Sequence, residues 1–509
     1  MMAPLEQLLV SGSDTRLILD PKTQLNIYGC APHPRDAVIS FASTTASSIS
    51  WRAHAAAQGA RARFIEASLR GNEQQVFDQT LADLRARLKR AFALDDPEVE
   101  IVLAPSGTDA QLLALFIARA TLGAPLTSIV VAAEETGSGT SHTALGQHFN
   151  SQAANGSPVV KGAAIEGLAD GVARVDITVR NRDGSARSLD EIDSNVMTAI
   201  GIAHAHGRKI VLFAMDQSKS GLGGPSNDCL RYIRQHWSDN VQIVIDACQG
   251  RISPREINEH LADGRLVLMT GSKFFAGPPF SGAVFVPSVL ADKLEHVHEV
   301  PAGLCDYSGS SEWPERWAGI RAQLPGTMNR GLWLRWEAAL AEIEAYHSVP
   351  EAFRTLALNR FADAMPSLFA QFPSCRLVDL GVRGVEIRTI YPFLMANKTD
   401  ILPYDKTREV YAALNRDLSA ELPGDVSNKD RQIASTLCHI GQPFLTRDQR
   451  GRETGALRIS ADARLVSEAW KAGSERAAIE YVDSGIDEIR AVFEKIEFIL
   501  KHNKSKDLG

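Results

Sequence analysis

Two polar residues stand where buried strands should end. Lys273 follows the apolar run RLVLMTGS, and Asp246 closes the run VQIVID. A lysine in such a place has two readings. Its long stem can lie along apolar surface with the amine in water. Alternatively, the amine sits in a dry pocket with a lowered pKa, nucleophilic enough to form a Schiff base with a carbonyl. Asp246 bears on the choice, because a buried carboxylate is costly unless it meets a cation or several donors. A structural salt bridge to Lys273 would meet that need. So would a protonated pyridine nitrogen, and a lysine at one end of a ring with an acid at the other is the pairing that pyridoxal phosphate chemistry requires.

A phosphate needs its own cradle. Ser106-Gly107-Thr108 lies between the apolar run EIVLA and a helical stretch from Ala110 to Arg119. Backbone N–H groups at a helix start, with hydroxyls beside them, bind phosphate well, although Ser and Thr are also ordinary N-caps. Three more polar clusters follow apolar runs in the same way: Glu134 to Gly139, Asp216 to Gly221, and Thr270 to Lys273. With Asp246 and the Ser106 cluster, five strand ends offer hydroxyls, carboxylates, glycines and lysine to one crevice.

The elements that must position these groups alternate strand and helix through the middle of the chain. EVEIVLA, LTSIVVAA, ARVDITV, KIVLFAM, VQIVID, RLVLMTG and GAVFVP read as strands. LDEIDSNVMTAIGIAHAHG, CLRYIRQHW and REINEHLAD read as helices between them. This order predicts an α/β fold with a mostly parallel sheet covered on both faces, and such sheets bind ligands at the carboxyl ends of their strands. Two long helical stretches from Arg330 to Phe372 then give way to short strands (CRLVDL, GVEIRTI, GALRIS) among helices. The expected organisation is an N-terminal segment over 1–70 that packs with the small domain, a large domain over 71–345, and a smaller α+β domain over 346–509.

Composition narrows the class. The 509 residues are 44% hydrophobic and 23% charged, ordinary for a water-soluble globular protein with room for a large core. A net charge of −7 gives no footprint for nucleic acid or an anionic membrane. The N-terminal stretch has no basic region followed by an apolar one, and the most apolar window is broken by Pro105, Asp109 and Arg119, so neither a signal peptide nor a membrane span is expected. The six cysteines are scattered without a C-x-x-C pair and read as reduced thiols of a cytoplasmic protein rather than a metal site.

Taken together, these motifs resemble the fold-type I pyridoxal-phosphate enzymes, in particular the class V aminotransferase and cysteine desulfurase group. The family's Asp-x-x-Gln is similar to Asp246-Ala247-Cys248-Gln249, which implies Asp246 on the pyridine nitrogen and Gln249 on the phenolic oxygen. Its lysine motif resembles TGSKFFAGPPFSGAVFV, which implies Lys273 as the attachment point and Thr270 and Ser272 as phosphate ligands beside Ser106, Gly107 and Thr108. Ser218 stands where the family's Asn-x-x-Gly loop has Asn. Gly326-Thr327-Met328-Asn329 resembles the segment whose Thr reaches the phosphate of the neighbouring subunit, so the resemblance implies a homodimer with composite sites. Leu457-Arg458-Ile459-Ser460 resembles the strand whose Arg clamps the substrate carboxylate. The chain departs from the pattern after the second strand, where the family stacks an aromatic on the cofactor ring: that position falls at Thr136, and the nearest aromatic is His142, which would have to fold back toward the substrate.

The first functional reading is a class V aminotransferase acting on an amino acid through a Lys273 Schiff base. The alternative is a lyase, by β-elimination or by cysteine desulfuration. Desulfuration needs a mobile nucleophilic cysteine, and the one candidate by position is Cys438, in CHIGQPF, where Ile440 and Phe444 suggest packing instead. A reading of another class is a regulatory pyridoxal-phosphate protein without turnover. Such proteins carry an added DNA-binding module, for which the first 70 residues are short and insufficiently basic.

Overall fold

A computed structural model describes residues 2–381, 387–397, 400–423, 426–448 and 450–503. The strands, in chain order, are β1 Val38–Phe41, β2 Glu100–Ala104, β3 Leu126–Val131, β4 Val172–Ile177, β5 Lys209–Met215, β6 Val241–Asp246, β7 Leu266–Thr270, β8 Gly282–Val286, β9 Cys375–Leu377, β10 Ile390–Asn397, β11 Asp400–Ile401, β12 Leu437–Arg447 and β13 Glu453–Ser460.

The first sheet runs β2-β8-β7-β6-β5-β3-β4. Pairing is parallel from β7 to β4, whereas β8 is antiparallel to both β2 and β7. Every residue of β3, β7 and β8 is buried, which is why β7 and β8 read as near-continuous apolar runs rather than alternating ones, while β3 also buries Thr127 and Ser128. β4, at the edge, is mostly part-exposed or exposed. Helix Gly107–Leu122 lies against one face of this sheet and is buried at every position from Asp109 to Ala118. Helix Leu189–Ala205 starts with a capping box, Ser188 with Glu191, and ends before Gly207 at φ +65°.

The second sheet runs β1-β12-β13-β10-β11, with β9 beside β10. Of the expected strand over GVEIRTI, the first three positions lie outside the described residues, the next three are not strand, and β10 begins at its last position, Ile390. β1 adds to β12 in parallel, so the N-terminal segment supplies an edge of the C-terminal sheet. The helices of that segment go elsewhere. Leu5–Leu9 and Trp51–Ser68 pack on helix Arg330–His347, which also contacts Glu73–Ala91 and Ala463–Ala469.

Helix Arg330–His347 is the central strut. Its Arg335 is fully buried and donates to the carbonyls of Leu9, Ser11 and Gly12 and to that of Phe280. One guanidinium thereby fixes both the N-terminal arm and the turn after Lys273. The same helix presses on that turn from below: a Cβ on Gly271 would lie 2.5 Å from Ala339 Cβ, so only glycine fits there. No described helix is long and apolar enough to cross a membrane.

Candidate active site

The strand ends of the first sheet open into a cavity of about 990 Å³, closed on the far side by the N-terminal segment and the second sheet. Ser106, Gly107, Thr108, Thr136, Ser218, Asp246, Gln249, Thr270, Ser272, Lys273 and Arg458 all line it.

The floor is built by the turns after β2, β6 and β7. Ser106 caps helix Gly107–Leu122, accepting from the N–H groups of Thr108 and Asp109 at 3.2 Å each and donating to the Asp109 carboxylate. Gly107 packs so closely that a Cβ would come 2.8 Å from Cys248 Sγ and 3.2 Å from Thr270 Cγ2. Asp246 Oδ1 accepts the Cys248 N–H at 3.1 Å, which orients the carboxylate at the strand end. Thr270 donates to the Cys248 carbonyl at 2.6 Å. Burial lowers the pKa of Lys273, while the nearby Asp246 favours the ammonium.

Arg458 enters from β13. It is 1% exposed, and its Nη2 donates to Thr45 Oγ1 at 3.0 Å and to the Gln442 carbonyl. Nε and Nη1 are buried without a partner among the described residues. Burial pulls its pKa down to about 10. A buried guanidinium with N–H groups left over is costly by itself and suits a carboxylate ligand.

Two expected ligands are committed elsewhere. Ser218 donates to Glu135 and accepts from the N–H groups of Ser220 and Leu222, so its hydroxyl braces its own loop. Glu135 is buried and also takes Ser220 and the Arg180 guanidinium, tying the β3 and β5 ends together. His142 does not fold back toward the substrate space. It sits on the short helix Thr140–Thr143 with Nδ1 3.3 Å from Gln147 Oε1, outside the cavity lining. Thr136 lines the cavity, with its hydroxyl donated to the Ala133 carbonyl at 2.9 Å. Thr327 is exposed and does not line the cavity of its own chain; it lies beside Gly309. Asp216, grouped by sequence with the crevice, faces a second cavity of about 590 Å³ on the other side of the β5 end.

Sequence reasoning missed several lining residues. Arg16, Tyr28, Thr44 and Thr45 come from the N-terminal segment, and Tyr404, Arg408 and Tyr411 from helix Tyr404–Leu414. Nothing local in their surroundings marks them, apart from the Asp14-x-Arg16 spacing of an ion pair. Lys219 also lines the cavity and donates to the Thr136 carbonyl; burial, then Arg458 and Lys273, push its amine down to about 7. Gln249 is oriented by Arg251, which donates to Gln249 Oε1 at 3.1 Å and also to Thr389, Ser43 and the Ala461 carbonyl, joining the two sheets.

The chain's backbone is similar to that of a NifS-like protein from Rickettsia africae ESF-5, with a TM-score of 0.50 and 12% identity over 90% of this chain and 99% of that one. It is equally similar to a C-DES point mutant with glycine covalently linked to its PLP cofactor, with a TM-score of 0.50 and 13% identity over 88% of this chain and 96% of that one. The chain has the fold of the fold-type I pyridoxal-phosphate enzymes. No family model and no curated protein sequence matches it. The fold therefore rests on structure, and the chemistry rests on the side chains above.

Those side chains fit pyridoxal phosphate. The cradle at Ser106–Thr108 requires glycine at its centre, a lysine amine and a carboxylate project from neighbouring strand ends, and the under-bonded guanidinium of Arg458 faces the same cavity.

Proposed function

We propose that this protein is a pyridoxal-phosphate-dependent enzyme acting on an amino acid, with Lys273 as the covalent attachment point and transamination as its reaction. The observation that carries the reading is the meeting of Lys273, Asp246 and the half-paired Arg458 in one cavity, from β7, β6 and β13. The cofactor, when bound, supplies the electron sink for chemistry at the substrate Cα.

The chain's own residues then have separable tasks. The N–H groups of Ser106 and Gly107, with the Ser272 hydroxyl, would hold the phosphate, while Thr270, which donates to the Cys248 carbonyl, shapes the floor beneath it. Asp246 keeps a proton on the pyridine nitrogen. Gln249, oriented by Arg251, donates to the phenolic oxygen. Arg458 grips the α-carboxylate through Nη1 and so orients the Cα–H bond. Lys273, with its amine depressed by burial, carries the proton to and from Cα.

Desulfuration is the less supported alternative, because its positional candidate is packed. All six cysteines are free thiols, and Cys438 is fully buried in β12, beside Ile39 of β1. Burial raises its pKa to about 11. Cys248 is the one cysteine lining the cavity, and its pKa is raised well above the ordinary value by burial and then by Asp246. A β-elimination lyase is the second reading, favoured by Lys219, a second amine in the cavity whose pKa near 7 suits proton delivery to a leaving group. A regulator without turnover gains no support, because the N-terminal helices and β1 are built into the fold.

Thr327, exposed and outside its own cavity, is free to reach the phosphate of a second subunit in a homodimer. The free thiols suit a cytoplasmic setting. Borohydride reduction of the protein with pyridoxal phosphate, followed by peptide mapping, is expected to label Lys273. A label on Lys219, or none, overturns the assignment. Product analysis across a panel of amino acids separates the two reactions: a keto acid with the amino group retained on the cofactor marks transamination, and a keto acid with free ammonia marks the lyase.

A further inference from the structure

We propose that Arg16, on the N-terminal segment, is the cation that neutralises the cofactor phosphate in the Ser106–Thr108 cradle. This rests on the reading of the site above and adds a ligand to it.

Three arginines among the described residues line the cavity: Arg16, Arg408 and Arg458. Of these, Arg16 reaches the cradle. Its Nη2 lies 3.3 Å from Ser106 Oγ and its Nη1 3.4 Å from Thr108 Oγ1. Arg458 is bonded to Thr45 and Gln442, and Arg408 is exposed on helix Tyr404–Leu414.

The guanidinium is held in place before any ligand arrives. Asp14 takes Nε at 2.8 and 3.1 Å and Nη2 at 2.6 Å, in the two-pronged geometry of an Arg–carboxylate pair. Its Oδ1 also accepts the Arg16 backbone N–H at 3.0 Å, as the cap of the turn Thr15–Leu17. Upstream, the Leu9, Ser11 and Gly12 carbonyls are gripped by buried Arg335, and Asn329 donates to Gly12 at 3.0 Å. Downstream, Thr15 donates to Asn150 at 2.9 Å. The guanidinium carbon stands 4.5 Å from the Phe280 ring centroid and 5.5 Å from that of Phe149. Phe280 belongs to the turn after Lys273 and takes φ +73°, a conformation that disfavours a bulky residue. The Phe280 carbonyl is in turn tied to Arg335 at 2.6 Å, so the same buried residue sets both the arginine and the aromatic face beneath it.

Asp14 does not exhaust the donors. Nη1 makes a long contact to Thr108 Oγ1, on the cradle side, and the Tyr28 hydroxyl shares the guanidinium. The charges demand a cation there as well. Asp14 borders the cradle through its pair with Arg16, burial and then Asp14 raise the pKa of Asp109 to about 7, and a phosphate ester adds up to two negative charges at neutral pH. Without Arg16 no guanidinium among the described residues would reach the cradle.

The test compares pyridoxal 5′-phosphate with pyridoxal, which lacks only the phosphate. Apo-protein is titrated with each, following absorbance, and the adduct at Lys273 is confirmed by reduction and mapping. For Arg16→Met the expected result is a loss of about tenfold to hundredfold in affinity for pyridoxal phosphate, as for one charge-assisted hydrogen bond of roughly 1.5–3 kcal/mol. Pyridoxal affinity should be unchanged, and inorganic phosphate should no longer compete. Arg16→Met with Asp14→Asn removes the orphaned carboxylate too, and should show the same loss if the single variant does not fold. Wild-type discrimination retained in either variant overturns the proposal. If neither variant folds, ³¹P NMR of the wild-type complex decides: a phosphate that stays dianionic well below its ordinary second pKa supports it, and one that titrates as in free solution overturns it. Wild-type protein that attaches neither compound at Lys273 refutes the cofactor assignment itself, a result distinct from normal attachment with no dependence on Arg16.

Discussion

Asp216 and Asp246 leave adjacent strands almost level with each other, yet they serve different cavities. Met215 of β5 and Asp246 of β6 are register partners, and side chains alternate along a strand. Asp216, one residue beyond Met215, is therefore turned to the opposite side. Asp246 opens into the large cavity beside Lys273, with one oxygen bonded to the Cys248 N–H. Asp216 lines the smaller cavity, and its Oδ2 is buried without a partner among the described residues. Burial, then Glu256 and Asp246, raise its pKa to about 7. Position at a strand end places a carboxylate near ligands, and a shift of one residue decides which ligand, if any, it meets.

Neutralising each aspartate in turn should separate the two most widely. Asp246→Asn should lower kcat by about a hundredfold to a thousandfold, because an amide cannot keep the ring nitrogen protonated, a loss of about 2.7–4 kcal/mol at a preorganised site. Cofactor attachment, followed by absorbance, should survive. Asp216→Asn should leave kcat within about threefold. Equal losses in the two variants would mean that both carboxylates serve one site.

Arg458→Lys sharpens the contrast between groups that face substrate and groups that do not. A lysine cannot reproduce the guanidinium fork. KM for an amino acid should rise about tenfold to a hundredfold, with the spectrum of the resting enzyme unchanged, the difference corresponding to roughly 1.5–3 kcal/mol for a charged hydrogen bond. An unchanged KM would point to amine substrates without a carboxylate.

The pH dependence of stability separates the aspartates independently of activity. Asp216 has a raised pKa in the folded state, so the fold binds its proton more tightly than the unfolded chain does. Its favourable contribution is complete below about pH 4 and is lost as the pH climbs to about 7. Asp216→Asn should therefore gain on wild type across that window, reaching on the order of 1–3 kcal/mol at pH 8 in urea unfolding. A constant difference from pH 4 to pH 8 would show that Asp216 titrates normally.

The smallest effect is expected at Cys438, which lies in the second sheet away from either cavity. Cys438→Ala should cost about 1 kcal/mol of stability through the lost sulfur volume, with turnover within about twofold of wild type. Abolished turnover would revive the desulfurase reading.

Much of the first sheet was legible from sequence, because β3 and β5 to β8 are buried on both faces and are mostly apolar. The same runs marked where polar residues would emerge, and so placed Lys273, Asp246 and the Ser106 cradle. The resemblance to the family's Leu-Arg-x-Ser strand pointed to Arg458, which lines the same cavity. What sequence could not supply was orientation. Ser218 is committed to Glu135, His142 turns to Gln147, and Asp216 faces the wrong cavity, all through neighbours remote in the chain. Arg16 escaped notice for the same reason: its role depends on Ser106, Thr108 and Phe280, brought to it by Arg335. By itself the sequence determined which groups stand at strand ends, since hydrophobic burial and chain alternation act locally. Only the tertiary structure decided which of them share a cavity and keep N–H or carboxylate groups free for a ligand, because hydrogen-bond partners are chosen among residues far apart in sequence.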